Sequence, residues 1–213
     1  MKIVSITLAR GGSKEIKNKN LVMLGGKPLL FYQVRNCIDN QDISEVYVSS
    51  DSERILDYSE KIGAKKILRP DDISGDTATA ESALHHLCKL VDFDVLVFAQ
   101  TTSPLTDMED IRRGIEKYKT GKYDSIFSVN KEHWIPRWTK DLTPLAWEPK
   151  NRPRRQDIDE MYVENGAFYI TSRESLLKTG IRNGGRIGVV EMPLIRSFQI
   201  DSKDDLELAE KII

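Results

Sequence analysis

Cysteine is scarce in this chain. Cys37 and Cys88 are the only two in 213 residues. Each falls on the apolar face of a predicted helix, which reads as a reduced core thiol of a cytoplasmic protein rather than a disulfide. Long apolar runs are missing too. Val95 to Ala99 is among the longest, far from the ~18 residues a membrane span needs, so no membrane partner is expected. No secretory leader is legible, because Lys2 leads directly into strand and turn residues. Neither sign of charge is in excess: 32 Lys and Arg against 33 Asp and Glu leave a formal net charge of −1. A general nucleic-acid or membrane-surface role therefore has no electrostatic support. Histidine is rare, and the adjacent pair His85-His86 has no carboxylate or cysteine companion, so it reads as helix surface and not as a zinc site. Neither G-x-x-x-x-G-K-[ST] nor G-x-G-x-x-G occurs, so neither a P-loop NTPase nor a nicotinamide enzyme is indicated.

What is present is an alternation. Predicted strands at Ile3 to Leu8, Glu45 to Ser49, Ile67-Leu68, Val95 to Ala99 and Ser125 to Val129 alternate with helical periods. One helix starts at Pro28 and carries Leu30, Phe31, Val34, Cys37 and Ile38 at spacings of three and four. A second follows the capping-box pattern Ser50-Asp51-Ser52-Glu53. Others are expected over Thr77 to Leu90 and Asp107 to Tyr118. Strands at Gly166 to Ile170 and Val189 to Met192, a short helix at Ser175 to Lys178, an extended run ending at Ile200-Asp201 and a last helix capped by Ser202 complete the pattern. The expectation is one α/β domain over 1–213 with a mostly parallel sheet and helices on both faces. Right-handed crossovers would place the loops that follow strands on one rim.

Residues 131–160 break that rhythm. They hold Pro136, Pro144, Pro149 and Pro153 and all three tryptophans, Trp134, Trp138 and Trp147. No helical period runs through them, so they are expected to form an inserted arm or hairpin that buries its rings against a partner subunit.

The first twenty residues carry the strongest chemical signal. A buried strand stops at Ala9-Arg10-Gly11-Gly12-Ser13-Lys14, and Lys17, Lys19 and Asn20 follow. Glycines let backbone N–H groups approach an anion, and the basic side chains neutralise it. Open α/β sheets bind ligands at the carboxyl ends of their strands, so this loop is a candidate phosphate cradle; the blander reading is a solvated turn.

Together with Lys19-Asn20, Ala9 to Lys14 resemble, in order and spacing, signatures of the CMP-sialic acid synthetases. So do Leu68-Arg69-Pro70, Asp76-Thr77-Ala78, Gln100 to Leu105, Arg155-Gln156, Asn165 to Ile170 and Ile200-Asp201. Those enzymes are cytidylyltransferases that activate acylneuraminate-type nine-carbon sugars, and the resemblance covers essentially the whole chain. It implies a Rossmann-like sheet, a small protruding dimerisation arm at 131–160, a homodimer, and CTP and a sugar acid as partners, with Mg²⁺ as cofactor. The implied reaction is attack of the sugar's anomeric hydroxyl on the α-phosphate of CTP, with loss of pyrophosphate. Arg10, Lys14 and Lys19 would then hold the triphosphate, as catalytic residues. Gly11, Gly12, Ser13, Asn20, Arg69 and Ala80 would bind the nucleotide, Arg69 lying near the cytosine. Gln100 would meet the sugar, with Thr101 beside it. Arg155, flanked by Gln156, would pair with the sugar carboxylate, although Arg152 and Arg154 compete for that role. Asp201 is the metal candidate, since Mg²⁺ takes one or two carboxylates plus phosphate oxygens.

The chain departs from the family pattern in four places. Glu15 stands where Gly is usual, Ala80 where Ser or Thr is common near the base, Thr106 where Arg is usual, and Gln199 where the first Asp of an Asp-x-Asp pair is usual. The last leaves one metal carboxylate, and adding the second in Gln199→Asp is expected to tighten Mg²⁺ dependence if the geometry is kept. Two other readings stay open: CTP-dependent activation of a legionaminic, pseudaminic or eight-carbon acid, and a catalytically degenerate nucleotide-sugar binding protein.

Overall fold

The computed structural model describes residues 1–13, 15–132 and 134–213. Lys14, one of the expected triphosphate ligands, lies outside them. The strands are β1 (Ile3–Leu8), β2 (Met23–Leu24), β3 (Lys27–Pro28), β4 (Glu45–Ser50), β5 (Lys65–Leu68), β6 (Val95–Ala99), β7 (Ser125–Lys131), β8 (Arg137–Trp138), β9 (Pro144–Leu145), β10 (Tyr162–Ser172) and β11 (Ile187–Glu191). The helices are α1 (Leu29–Asp39), α2 (Glu53–Lys61), α3 (Ala80–Leu90), α4 (Met108–Lys119), α5 (Arg173–Thr179) and α6 (Lys203–Glu210).

Seven strands form one sheet in the order β11-β7-β10-β6-β1-β4-β5. Strands β1, β4, β5 and β6 pair in parallel, as do β7 and β11, and β10 runs antiparallel between β6 and β7. The two-residue side-chain period sorts each strand between two cores. Val95 and Val97 of β6 join Leu30 and Val34 of α1, Ile55 of α2 and Ile111 and Ile115 of α4 on one face. Leu96 and Phe98 join Leu84 and Leu87 of α3 and Leu176 of α5 on the other. Strands buried on both faces read as continuous apolar runs, as β1 and β6 do. Cys37 and Cys88 are free and buried, and burial pushes the Cys37 thiol up to about 12.

The direction of β10 matters for the site. The parallel strands end at a common rim, but β10 starts there, so the residues before it, not those after it, reach that rim. The expected convergence of loops after strands therefore inverts at β10, and α5 leaves from the opposite edge. The 131–160 segment runs from the end of β7 to the start of β10, whose Tyr162 pairs with Lys131. Within it β8 and β9 form a separate two-stranded ribbon. Trp138 packs edge-on against Trp147 at 4.9 Å, and Ile135, Trp138, Leu142 and Leu145 are exposed.

Three local expectations change. Ser52 precedes α2 without a side-chain capping bond; its N–H donates to Ser50 Oγ at 3.0 Å, and Asp51 turns to the first loop instead. Helix α3 begins at Ala80, with Thr79 accepting from Ser82 N–H, rather than at Thr77. The run ending at Ile200-Asp201 is not a strand. It is a strap pinned by Ile200 N–H donating to Thr102 O at 2.7 Å.

Candidate active site at the rim of the sheet

A cleft of about 320 Å³ opens where β1, β5 and β6 end. It is lined by Arg10, Ser13, Lys19, Asn20, Arg69, Ala80, Gln100 and Thr101 among the expected residues, and by Phe98 and Thr79, which the sequence reading did not single out. Phe98 was legible in principle, because it lies two residues before Gln100 and so on the same side of β6.

The first loop is braced from three sides. Gly11 N–H donates to Asp51 Oδ1 at 2.7 Å, so this amide of the expected anion cradle already has a carboxylate partner. A Cβ at Gly11 would stand 3.1 Å from Ser52 Cβ, whereas Gly12 faces open space; close approach explains the first glycine and not the second. Asn20 is buried. Its Nδ2 donates to Arg10 O at 2.9 Å and its Oδ1 accepts from Thr101 Oγ1 at 2.8 Å. Both residues line the cleft, and their side chains also tie the first loop to the loop after β6.

The cations converge with carboxylate partners. Arg10 Nη1 pairs with Asp76 Oδ1 at 2.8 Å and Lys19 Nζ with Asp201 Oδ1 at 3.0 Å. Arg69 is buried: Nη2 donates to Ser49 O at 2.8 Å, while Nε has no partner. Burial lowers the Arg69 pKa, Asp51 opposes that, and Arg10 adds to it. Three positive side chains, Arg10, Lys19 and Arg69, thus line one cleft.

Gln100 Nε2 donates to Gly166 O at 2.6 Å. Gly166 sits at φ +66° where the β10–β7 register shifts, and a Cβ there would collide with the Gln199 amide. Gln199 Nε2 donates to Asn165 O. The two glutamines thus cap successive carbonyls of a bulge that the sheet ladder leaves unpaired. Asn165 Nδ2 in turn donates to Ser197 Oγ at 2.9 Å.

Not every expected residue is brought in. Arg155 lines a second cavity of about 340 Å³ with Trp134, Lys131 and Ile158 at the base of the arm. Gln156 is exposed on the short helical turn Arg155–Asp157. Neither lines the first cleft of this chain, because the arm carries them away from β6. Asp201 is exposed, and among the described residues no group of three or more His, Cys, Asp or Glu side chains is arranged to hold a metal. The Asp201 carboxylate fits Mg²⁺ as a single protein ligand to an ion carried chiefly by phosphates and water.

The chain is similar to several known proteins. The N-acylneuraminate cytidylyltransferase A of Danio rerio is 33% identical over 217 residues, 98% of this chain and 50% of that protein. The pseudaminic acid cytidylyltransferase of Campylobacter jejuni is 28% identical over 221 residues, 99% of this chain and 95% of that protein. The chain spans about half the length of the N-acylneuraminate relatives it matches. A solved CMP:2-keto-3-deoxy-manno-octonic acid synthetase complexed with CTP superposes with a TM-score of 0.74 at 18% identity, covering 100% of this chain and 98% of that one; that likeness concerns the fold. The cytidylyltransferase family model matches residues 4–212, and over that span the chain belongs to the cytidylyltransferase family.

Proposed function

We propose that this protein transfers the cytidylyl group of CTP to the anomeric hydroxyl of a sialic-acid-like 2-keto-3-deoxy sugar acid. The observation that carries the reading is the convergence of Arg10, Lys19 and Arg69 on one cleft that also holds Gln100. Nucleotidyl transfer is chiefly positioning and charge stabilisation. Arg10 and Lys19 neutralise the triphosphate, Lys14 joins them, and the backbone of Gly12 and Ser13 follows the phosphates. Arg69 donates to the cytosine carbonyl from a buried, prearranged position, and Ala80 packs at the base. The Gln100 amide, which can donate and accept, orients the acceptor. The hydroxyl oxygen bonds to the α-phosphorus, the bond to the bridging oxygen breaks with its electron pair leaving on pyrophosphate, and the hydroxyl proton passes to water. Bound Mg²⁺ would add charge neutralisation at the phosphates, with Asp201 as its protein carboxylate.

The arm at 131–160 is assigned to a homodimer interface, its exposed Ile135, Trp138, Leu142 and Leu145 meeting a second copy. Arg155 and Gln156 then complete the partner's acceptor site rather than their own. A cytoplasmic location suits the two reduced thiols. Pyrophosphate release with CTP and a panel of 2-keto-3-deoxy acids tests the reading; no release with any acid overturns it. Because the pseudaminic acid relative matches over nearly its full length, that acid and an eight-carbon acid belong in the panel as the second reading.

A further inference from the structure

The strap between β11 and α6 carries Gln199, Ile200 and Asp201 to the rim, yet its approach has little apolar anchorage. None of residues 193–199 is buried, and Leu194 and Ile195 are exposed. Hydrophobic burial therefore does not fix the short helical turn Leu194–Arg196.

An ion pair to α4 does. Arg196 Nε donates to Asp110 Oδ2 at 2.9 Å and Nη2 to Oδ1 at 2.8 Å, a two-pronged fork on a fully buried carboxylate. That carboxylate already has partners within its own helix. Arg113 Nη2 donates to Oδ1 at 2.7 Å, and the Asp107 N–H donates to Oδ2 at 3.2 Å as part of a capping box. A buried carboxylate needs a cation, and Arg113 supplies one without the strap. The second guanidinium therefore adds direction. Two parallel bonds fix a plane as well as a distance, which a lysine ammonium cannot do.

Beyond Arg196 the strap is held by single bonds. Ser197 Oγ accepts from Asn165 Nδ2 at 2.9 Å, the Gln199 amide donates to Asn165 O, and Ile200 N–H donates to Thr102 O at 2.7 Å. Asp201 follows and meets Lys19 Nζ at 3.0 Å. Asp201 is exposed, so the course of the strap sets its place, not packing around it.

We propose that Arg196 is a positioning residue: its fork on Asp110 sets the strap so that Asp201 stands beside Lys19, where the divalent cation of bound CTP would meet it. The proposal rests on the reading of Asp201 as the metal carboxylate.

The test is equilibrium binding of CTP to the full chain by calorimetry, once with Mg²⁺ and once with EDTA. The quantity read is the ratio of the two affinities, the Mg²⁺ enhancement. Asp201→Asn is expected to lower it. Arg196→Gln should lower it by about tenfold, the low end of what losing a group that orients a metal ligand costs. In the Asp201→Asn background, Arg196→Gln should change the ratio by less than about twofold, because residues that act through one another are not additive. Arg196→Lys keeps a charge for Asp110 and loses the fork, so it should melt near wild type and still lose most of the same enhancement. If Arg196→Gln does not fold, Arg196→Lys carries the same comparison in both backgrounds. A role in stability alone would lower the melting temperature and weaken both affinities in parallel, with their ratio intact. That outcome, or an equal effect in both backgrounds, overturns the proposal. Wild-type protein without enhancement, or Asp201→Asn with the full wild-type enhancement, overturns the metal reading of Asp201 instead.

Discussion

Lys19 Nζ stands 3.0 Å from Asp201 Oδ1, joining the loop after β1 to the strap that precedes α6. Two groups expected to serve separate ends of the chemistry, one at phosphate and one at metal, are first neighbours. Lys19 also donates to Ile200 O at 3.3 Å, so a bound triphosphate would compete for a lysine that is already oriented.

Lys19→Ala and Arg10→Ala are each expected to lower turnover with CTP by at least ~10²-fold, as when one charge-stabilising donor is removed. Their ion-pair partners are largely exposed, so stability should change by less than about 1 kcal/mol. Kinetics combined with thermal melting checks both halves. Full activity in both variants would reduce the loop to a surface turn.

Asp201→Asn should raise the Mg²⁺ concentration needed for half-maximal rate, and a titration that leaves it unchanged would place the metal elsewhere. The tighter Mg²⁺ dependence expected of Gln199→Asp requires that the local geometry be kept, and Gln199 holds part of that geometry. The Gln199 amide caps Asn165 O, and a carboxylate there cannot donate to a carbonyl. The variant should lose about 1–3 kcal/mol, the penalty for an unmade buried bond, without tighter Mg²⁺ dependence. Tighter dependence at unchanged stability would refute this.

Thr101→Val removes the hydroxyl that reaches Asn20 Oδ1 and keeps the shape. It should cost about 1–3 kcal/mol and loosen the loop bearing Arg10, so denaturant midpoint and CTP KM should worsen together. A stability equal to wild type would mean that the brace is dispensable.

Asp110 gives a pH prediction. Burial pushes its carboxyl up, but hydrogen bonds from Arg196 at 2.9 and 2.8 Å and from Arg113 at 2.7 Å more than reverse this, leaving it below its ordinary 3.8. A carboxylate with a lowered folded-state pKa contributes stability that is complete above 3.8 and is lost as pH falls through the folded value. Asp110→Asn should cost about 3–5 kcal/mol at neutral pH, as when one partner of a buried pair is removed. It should also flatten the decline in stability below pH 3.8. Urea denaturation across that range is the measurement, and an equally steep decline in the variant would assign the effect to other carboxylates.

Leu142→Asp with Leu145→Asp should convert a dimer to a monomer, because charges cannot be buried unpaired in an apolar interface. Light scattering at micromolar concentration decides this. A wild-type monomer with full activity would refute the arm's assignment.

The element types, the alternation of β and α, the basic loop and the proline- and tryptophan-rich interruption were legible in the chain itself. Each rests on near-neighbour chemistry: a buried strand is apolar throughout, a helix repeats at three and four, and prolines exclude a helix. The reduced state of the cysteines follows likewise from the helix faces they occupy. What tertiary structure decided is who partners whom. Asp51 meets Gly11 and Asn20 meets Thr101 because separate strand ends are brought to one rim, and no local spacing encodes those contacts. The antiparallel course of β10 carries the arm, with Arg155, to the site rim yet outside the cleft. The register shift at Gly166 exposes carbonyls that Gln100 and Gln199 must cap. Arg182 reaches Phe98 across strands distant in sequence. Residue types dictate which bonds a group can make, and only the fold dictates which it is placed to make.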